Sequence, residues 1–390
     1  MAAFPCGGRV PFPTALARVA PPRRPPPFLS PMKRLTDYTW PEYEALPMAD
    51  KVECLARPDG MPFHTLFAQQ FDRARLDRLC GLATEIRSIA KSRAGMEFLQ
   101  GLLFHKRAMI YFTQPSSRTF LSFLSACQIL GLRTGEVRDA SVSSEFKGES
   151  REDSIRTFSS YFDLIVMRTQ EKGLAERMAW ALSQSRRPVP ILNAGSGKDQ
   201  HPTQALLDVY TLQRSFERRG GLRGRTIVYV GDLARGRTVR SLSNLLTNWE
   251  GVRHVFVAPP QLRIGDDILE MLRSRGQAFE VSSDMAAWLP EADAVYMTRI
   301  QDEWDESRGE SARIDTSRFK IGLREMALMK PGAILMHPLP RRDEIAPEVD
   351  ADPRAMYWRQ VRNGMWIRCA LIAATFDCGS RIDHYFRDNL

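Results

Sequence analysis

The sequence predicts an α/β protein with two doubly wound parallel-sheet domains joined by crossing helices. Short apolar runs alternate with amphipathic helical segments from about Pro62 onward, and this alternation is typical of parallel sheets. The length of 390 residues suits two domains or one large domain. Several predicted strands end in polar or charged residues, as strands do where open α/β sheets bind ligands.

Residues 1–61 form a predicted N-terminal extension. Residues 1–31 are rich in proline, glycine, arginine and alanine and contain no acid, so we expect disorder. A plastid transit peptide also lacks acids, but it is rich in serine, whereas this segment contains only Ser30. We therefore favour a flexible tail or translation from Met32. Residues 32–61 are predicted to be a poorly packed lead-in, with Trp40 and Tyr43 as anchors.

The first predicted domain covers residues 62–202 and is completed by residues 364–390. The apolar run 108–112 predicts a buried strand that Pro115 ends, because proline cannot donate a hydrogen bond to a sheet. The other elements expected in this domain are helices over 71–91, 120–130 and 171–183 and strands over 164–167 and 188–192.

The second predicted domain covers residues 203–363. Its expected elements are helices over 203–218, 237–249 and 267–275 and strands over 225–230, 254–258, 294–297 and 333–336. The apolar helix 366–376 is expected to return to the first domain.

The turn Pro115-Ser116-Ser117-Arg118-Thr119 joins a predicted strand to a predicted helix. A helix N-terminus presents unpaired N–H groups and the positive end of the helix dipole. Arg118 adds a planar fork that matches a phosphate or a carboxylate. The turn is therefore a candidate phosphate site, although the same residues also suit an ordinary capped helix with a surface arginine.

Comparable polar groups follow other predicted strands. They are Arg168, His201 with Gln204, Arg237, Arg299 with Gln301, and Leu339-Pro340-Arg341. Each group alone is compatible with an ordinary surface residue. Together, they predict a ligand with several negative charges bound between two α/β domains.

Composition narrows the function classes. No apolar run approaches the roughly 18 residues of a membrane span, and the net charge of +9 includes no basic run typical of a nucleic-acid arm. None of the six cysteines lies in a CxxC motif, and the six histidines form no HExxH pair. We expect a cytoplasmic protein with reduced thiols and without a metal, a cofactor, a nucleic-acid partner or a membrane partner.

Several stretches make the chain resemble the aspartate carbamoyltransferases, enzymes of pyrimidine biosynthesis. They are PSSRT (115–119), KGE (147–149), IVMR (165–168), NAGSGKDQHPTQALLD (193–208), VGDLARGRTVRSL (230–242), YMTRIQ (296–301) and HPLPRRDEI (337–345). Ornithine carbamoyltransferases usually carry cysteines within the equivalents of HPTQ and HPLP, and this chain does not. A dinucleotide site is disfavoured, because the glycines after the strand over 225–230 lack the G-x-G-x-x-G spacing.

The resemblance implies a carbamoyl phosphate site with three parts. The phosphate would be held by Ser116, Ser117, Arg118, Thr119 and Arg168. The carbamoyl oxygen would be polarised by Thr119, Arg168 and His201. The carbamoyl amide would be held by Gln204 and the main-chain carbonyls of Leu339 and Pro340.

The resemblance also implies an aspartate site and a shared loop. The two carboxylates of aspartate would be bound by Arg237, Arg299 and Gln301. Ser143 and Lys147 lie on a loop that in the family reaches the neighbouring subunit's site, where Ser143 would contact carbamoyl phosphate and Lys147 would contact both substrates. This sharing implies a homo-oligomer, usually a trimer, and separate regulatory or dihydroorotase chains are further candidate partners.

The implied mechanism is a direct transfer without a covalent enzyme intermediate. Its catalytic residues would be Arg118, Thr119, Lys147, Arg168 and His201. The amine of aspartate would attack the carbonyl carbon, and the departing phosphate can itself accept the proton of the amine. Carbamoyl phosphate would bind first, and domain closure after aspartate binding would exclude water.

Four positions depart from the family pattern. Gln114 stands for a glutamate and Trp304 for an arginine, so an ionic bridge between the domains cannot form there in the usual way. Phe120 stands for an arginine and Thr169 for a histidine. Drift within an active enzyme is the first interpretation; another amine acceptor, and a non-catalytic paralogue that binds carbamoyl phosphate or has a structural role, are the alternatives.

Overall fold

The lead-in before the first sheet is packed. A computed structural model of the chain describes residues 34–138, 148–197, 200–305 and 311–390. Helices α1 (Trp40–Glu44) and α2 (Met48–Cys54) precede the sheet, and Tyr43 is fully buried in a cluster with Tyr111 on one sheet face. Lys51 Nζ lies 2.7 Å from Glu176 Oε1. The predicted anchors are confirmed, because Tyr43 is buried and the Trp40 ring packs 5.9 Å from it. Around these anchors the lead-in is better packed than predicted, although most of its other residues are exposed or half-buried. Residues 1–31 lie outside the described ranges.

The first half of the chain forms a four-stranded parallel sheet in the order β2-β1-β3-β4. Its strands are β1 (Arg107–Phe112), β2 (Arg133–Val137), β3 (Leu164–Thr169) and β4 (Ile191–Ser196). The accompanying helices are α3 (Arg73–Ile89), α4 (Arg93–Leu102), α5 (Ser117–Ile129), α6 (Arg151–Tyr161) and α7 (Leu174–Ser183). Strand β4 starts later than predicted and runs further, because Asn193 N donates to Thr65 O at 2.8 Å and the preceding prolines lack an N–H.

The second half forms a five-stranded parallel sheet in the order β7-β6-β5-β8-β9. Its strands are β5 (Thr226–Val230), β6 (Arg253–Val257), β7 (Ala278–Ser282), β8 (Ala294–Met297) and β9 (Ile334–Met336). The helices of this half are α8 (Pro202–Phe216), α9 (Arg237–Leu246), α10 (Asp266–Ser274), α11 (Met285–Trp288), α12 (Leu323–Leu328), α13 (Tyr357–Thr375) and α14 (Gly379–Asn389). The prediction of two parallel-sheet α/β domains is confirmed.

Helices α8 and α13 cross between the two sheets. Helix α8 contacts β4 and α9, and α13 contacts α3, α5, α8 and β9. Most residues of α8 are buried, and one continuous apolar core includes side chains from both sheets, among them Ile110 and Tyr229. Helix α13 begins at Tyr357 rather than at residue 366. The apolar pattern did not reveal its first turns, because they carry polar and exposed side chains such as Trp358.

Three further observations concern the described ranges alone. No helix there combines the length and apolar character needed to cross a bilayer. The cysteines there are free thiols. No group of three or more His, Cys, Asp or Glu side chains there is arranged to hold a metal ion.

Candidate active site

A cleft of about 1450 Å³ lies where strands of both sheets end. Its walls come from the β1–α5 turn, the end of β3, the N-terminus of α8, and the segments after β8 and β9. The described candidate residues that line it are Ser116, Ser117, Arg118, Thr119, Arg168, His201, Gln204, Arg237, Arg299, Gln301, Leu339 and Pro340. Ser143 and Lys147 lie outside the described residues. Apart from Arg341, the predicted strand-end groups that the structure describes therefore meet in one cleft.

The β1–α5 turn presents its donors to this cleft. Helix α5 begins at Ser117, and the hydroxyl of the N-cap residue Ser116 does not cap the helix. Backbone N–H groups in the first turn of a helix have no intrahelical acceptor. Thr119 is buried and Arg118 is exposed beside it. The turn thus combines N–H groups, hydroxyls and a guanidinium, as expected for binding a phosphate.

Arg168 is a buried cation at the end of β3. Its side chain is 7% exposed, and its Nη1 donates to Ala194 O at 3.0 Å. The same Nη1 lies 3.4 Å from Nε2 of His201, the N-cap residue of α8. Strand β3 and helix α8 therefore bring a cation and an imidazole together at the floor of the cleft.

Three other arginines act on Arg168. Burial lowers the pKa of Arg168 to about 9, and the charges of Arg237, Arg368 and Arg118 contribute to the shift. Among the described residues, no carboxylate forms an ion pair with Arg118 or Arg168. A bound anion would relieve the mutual repulsion of these cations.

His201 is held neutral by its surroundings. Burial is the main cause that lowers its pKa well below the ordinary value, and the nearby charges of Arg168, Arg237 and Arg368 lower it further. Its Nδ1 is buried without a hydrogen-bond partner in the described part of the chain. A neutral imidazole carries one N–H, and His201 can therefore act as a hydrogen-bond donor at neutral pH.

Gly195 allows Arg168 and His201 to come close. Its φ is +124°, a conformation that other residues rarely adopt, and a Cβ there would lie 2.5 Å from Arg168 Nη1 and 3.4 Å from His201 Cδ2. Any larger residue at this position would displace the guanidinium.

The turn after β9 is shaped by a buried histidine. His337 Nδ1 accepts from Leu339 N at 2.8 Å, and His337 Nε2 lies 2.7 Å from Glu344 Oε1. Leu339 has a positive φ of 54°, and the turn places Leu339 and Pro340 on the cleft wall. Arg341, also a strand-end candidate, pairs instead with Asp350 at 2.7 Å and is not among the residues that line the cleft.

The second-sheet side of the cleft holds cations that already have partners. Arg299 Nη1 donates to Glu303 Oε2 at 2.7 Å, and its Nη2 also pairs with this carboxylate. Arg237 donates to the carbonyl of Gly197, and burial lowers its pKa to about 10. Gln301 N donates to Asp232 Oδ2 at 3.1 Å. A dicarboxylic ligand would have to share these arginines with their present partners.

The structure shows what surrounds the side chains at three of the four positions that depart from the family pattern. Phe120 is buried, with its ring 5.5 Å from that of Phe112 and the Arg138 guanidinium 4.3 Å above it. Thr169 Oγ1 donates to a main-chain carbonyl at 3.2 Å. Gln114 is buried, and its Oε1 has no hydrogen-bond partner in the described part of the chain. The absence of an ionic bridge at Gln114 and Trp304 stays a prediction.

Sequence reasoning missed five residues that line the cleft or support its side chains. They are Gly195, Asp208, Glu344, Gln360 and Arg368. Asp208 could have been noticed in the sequence, because it is an acid within the largely apolar segment that forms α8. No sequence pattern marks Gln360 or Arg368 as a site residue, since only the packing of α13 against α8 and α5 brings them near the cleft.

Two family models match consecutive parts of the chain. One describes the carbamoyl-P binding domain of aspartate/ornithine carbamoyltransferase and matches residues 64–214. The other describes the Asp/Orn binding domain of the same family and matches residues 223–375.

Individual relatives agree with these models. A chloroplastic aspartate carbamoyltransferase of Arabidopsis thaliana is 44% identical over 308 residues, which cover 78% of this chain and 75% of that protein. The crystal structure of Trypanosoma cruzi aspartate transcarbamoylase with N-(phosphonacetyl)-L-aspartic acid matches with a TM-score of 0.69 and 36% identity, over 79% of this chain and 94% of that one. The same enzyme with carbamoyl phosphate and aspartate gives a TM-score of 0.71 and 37% identity, over 79% and 95%.

Proposed function

The chain belongs to the aspartate/ornithine carbamoyltransferase family, and from this premise we propose that it is an aspartate carbamoyltransferase. The proposed reaction transfers the carbamoyl group of carbamoyl phosphate to the amine of L-aspartate. Its products are N-carbamoyl-L-aspartate and phosphate, and it serves de novo pyrimidine biosynthesis. Relatives with this name, and a relative's structure with both substrates bound, support the proposal.

The observation that carries the proposal is the pair Arg118 and Arg168 on the first-sheet side of the cleft. Arg118 and Arg168 face the cleft beside a helix N-terminus, and no described carboxylate neutralises either of them. Holding such cations together is unfavourable, so the site favours a ligand with at least two negative charges. An acyl phosphate such as carbamoyl phosphate carries two negative charges on its phosphate group and is therefore a suitable ligand.

Carbamoyl phosphate would span the first-sheet side of the cleft. Its phosphate would accept hydrogen bonds from the side chains and main chain of Ser116, Ser117, Arg118 and Thr119 and from Arg168. Its carbonyl oxygen would face the donors of Thr119, Arg168 and His201. Its amide would donate to Gln204 Oε1 and to the carbonyls of Leu339 and Pro340.

Aspartate would bind on the second-sheet side. The carboxylates would be bound by Arg237, Arg299 and Gln301. The amine would then lie against the carbonyl carbon, and the positioning of both reactants can supply roughly 7–11 kcal/mol of the barrier reduction. Attack gives a tetrahedral oxyanion that the donors around Arg168 stabilise, and each such donor typically contributes about 3–4 kcal/mol.

The expulsion of phosphate needs no separate base. The leaving phosphate is close to the attacking amine and can take its proton, while Arg118 and Arg168 neutralise the charge that develops on it. The lowered pKa of His201 makes its imidazole a poor base, and its neutral ring would instead donate a hydrogen bond to the oxyanion.

The direct test is an assay of the purified full-length chain with carbamoyl phosphate and a panel of amines. Formation of N-carbamoyl-L-aspartate with aspartate as the preferred acceptor is the expected result. Turnover with another amine in preference to aspartate would point to a different acceptor. Binding of carbamoyl phosphate without turnover of any amine would indicate a non-catalytic paralogue.

We also propose that the site is completed by a neighbouring subunit in a homotrimer. Ser143 and Lys147 would come from that neighbour, as the family resemblance implies. Mixing inactive Lys147→Ala chains with inactive His201→Ala chains should restore part of the activity, because some mixed sites contain neither substitution. Failure to recover activity after dissociation and reassociation would place Lys147 in its own chain's site.

The location and further partners of the protein stay proposals. We propose a cytoplasmic enzyme, whereas the Arabidopsis relative is named chloroplastic. Fluorescent fusions of the full chain and of a chain starting at Met32 would decide this, since import into a plastid that depends on residues 1–31 would contradict it. Co-purification would identify regulatory or dihydroorotase chains.

A further inference from the structure

One buried carboxylate connects the two walls of the proposed carbamoyl-amide subsite. Asp208 lies on α8, one turn after Gln204, and is fully buried. Its Oδ1 accepts from Gln204 Nε2 at 3.0 Å and from Gln360 Nε2 at 2.6 Å. Its Oδ2 accepts from the hydroxyl of Tyr296 at 2.7 Å. Asp208 thus joins α8, β8 and α13.

The first connection fixes the orientation of Gln204. Because the amide nitrogen of Gln204 is committed to Asp208, its Oε1 is the atom that remains for a ligand in the cleft. A carbamoyl NH2 group needs an acceptor, and Gln204 turned the other way would present a donor instead. Asp208 therefore selects the productive orientation of this side chain.

The second connection reaches the opposite wall. Gln360 donates to Asp208 through Nε2, and its Oε1 accepts from His337 N at 2.9 Å. His337 begins the turn whose later residues, Leu339 and Pro340, line the cleft. The two walls are contributed by α8 and by the turn after β9, and the same carboxylate holds both.

The burial of this carboxyl group needs an explanation. Desolvation raises the pKa of Asp208 to about 7, despite its hydrogen bonds to Tyr296, Gln360 and Gln204. A buried acid is costly compared with an apolar side chain of similar size. An apolar residue would fill the space between α8 and α13, but it would leave Gln204 and Gln360 without an acceptor.

We propose that Asp208 is a positioning residue that sets the enzyme's preference for a carbamoyl group, by orienting Gln204 and, through Gln360, the turn that carries Leu339 and Pro340. This inference rests on the proposed function. Asp208 contacts no substrate, and its effect should appear where the substrate carries its NH2 group. Acetyl phosphate has a methyl group at that position, so it is a suitable probe.

The experiment compares Asp208→Ala and Asp208→Asn with the unmodified chain. Asp208→Ala should lower kcat/KM for carbamoyl phosphate by about 10²-fold, as displacement of a reacting group by about 1 Å can do. It should change the inhibition constant of acetyl phosphate far less, so the preference for carbamoyl over acetyl phosphate falls. Asp208→Asn keeps an oxygen toward both glutamines and should restore most of that preference.

A matched control lies one turn further along the same two helices. Asn363 Nδ2 donates to Thr211 Oγ1 at 3.1 Å, so Thr211→Val removes a buried contact between α8 and α13 without touching Gln204. It should leave the preference unchanged. If Asp208→Ala does not fold, Gln360→Met tests the link to the turn alone and should lower the preference by a smaller factor.

The possible outcomes separate this inference from the proposed function. Equal losses for carbamoyl and acetyl phosphate, or a loss in Asp208→Ala no larger than in Thr211→Val, would overturn the positioning role. An unrestored preference in Asp208→Asn would do the same. Failure of the unmodified chain to bind N-(phosphonacetyl)-L-aspartic acid and to carbamoylate aspartate would instead overturn the proposed function.

Discussion

The two sides of the cleft use arginine differently. On the first-sheet side, Arg118 and Arg168 have no carboxylate partner among the described residues. On the second-sheet side, Arg299 pairs with Glu303, and Arg342, also on the wall, pairs with Asp302 through two contacts of 2.9 Å. The first side is therefore built for an anion, whereas Arg299 and Arg342 on the second side already have carboxylate partners.

This difference bears on the order in which ligands bind. A preformed cation cluster can accept a phosphate without losing any internal contact. The carboxylates of aspartate, in contrast, must compete with Glu303 for Arg299. A site of this kind favours carbamoyl phosphate as the first ligand and aspartate as the second, and it ties the second event to a rearrangement of ion pairs.

Replacing the central cation should have the largest effect. Arg168→Met removes a donor to both the phosphate and the oxyanion, and we expect kcat to fall by about 10²–10³-fold or more. The free energy of unfolding should not decrease, because the substitution also removes a buried charge that three arginines repel. Steady-state kinetics and denaturant unfolding measure the two effects.

A surface arginine provides the control for this substitution. Arg187 is half-exposed and pairs with Asp163 away from the cleft, so Arg187→Met should leave kcat unchanged. Comparable kcat values for Arg168→Met and the unmodified chain would contradict a role of the cluster in catalysis.

Ligand-induced stabilisation sharpens the contrast between the two sides. Inorganic phosphate alone, at 100 times its Kd, should raise the free energy of unfolding by about 2.7 kcal/mol, since it binds the folded chain only. Aspartate alone at its working concentration should produce little stabilisation, because Arg299 is engaged by Glu303. Stabilisation by aspartate in the absence of phosphate would show that the second side is equally preformed.

Adding a methyl group beside Arg168 on the first-sheet side should lower activity by less than replacing Arg168 itself. Gly195→Ala places a Cβ 2.5 Å from Arg168 Nη1, and we expect kcat/KM to fall by about tenfold or more, corresponding to roughly 1–3 kcal/mol of strain and displacement. Gly276→Ala is the matched control, because Gly276 also has a positive φ of 64° but its Cβ would meet nothing within 4 Å. Equal kinetic losses in the two variants would indicate backbone strain alone.

The pH dependence of phosphate binding gives an effect that is negligible at neutral pH and appears only above about pH 9. Arg168, with a pKa of about 9, binds phosphate in its charged form, so affinity should fall by up to about tenfold per pH unit above 9. Stability should change in the opposite direction, because above pH 9 the unfolded chain holds a proton on this arginine that the folded chain has lost, and stability then rises with pH. Calorimetric titrations from pH 7 to 10.5 measure the affinity, and the slope should be absent in Arg168→Met.

The central strands could be predicted from sequence, as could the edge strands β4 and β9, whereas the edge strands β2 and β7 could not. Strands β1, β3, β5 and β8 lie between other strands, and their nearly continuous burial gives an apolar run that is visible in the sequence. Edge strands β2 and β7 are partly exposed along their length. They have no such run, and neither was predicted.

The site residues likewise divide into those that could be identified from the sequence and those that could not. Residues at strand ends, such as Arg168 and Arg299, could be identified because an apolar run directly precedes them. Gln360 could not, since it approaches the site only when α13 packs on α8. Roles in substrate binding came from the family resemblance and stay predictions, because composition and spacing indicate only an anion site.

The packed lead-in has a practical consequence for any shortened form of the protein. Leu35, Tyr43 and Leu55 of the lead-in cover one face of the first sheet, where they pack in one cluster with Tyr111 of β1 and Ile165 of β3. A truncation that starts at residue 62 would expose this apolar surface and promote aggregation. The minimal folding unit therefore extends back to about residue 34, thirty positions before residue 64, where the family model begins to match.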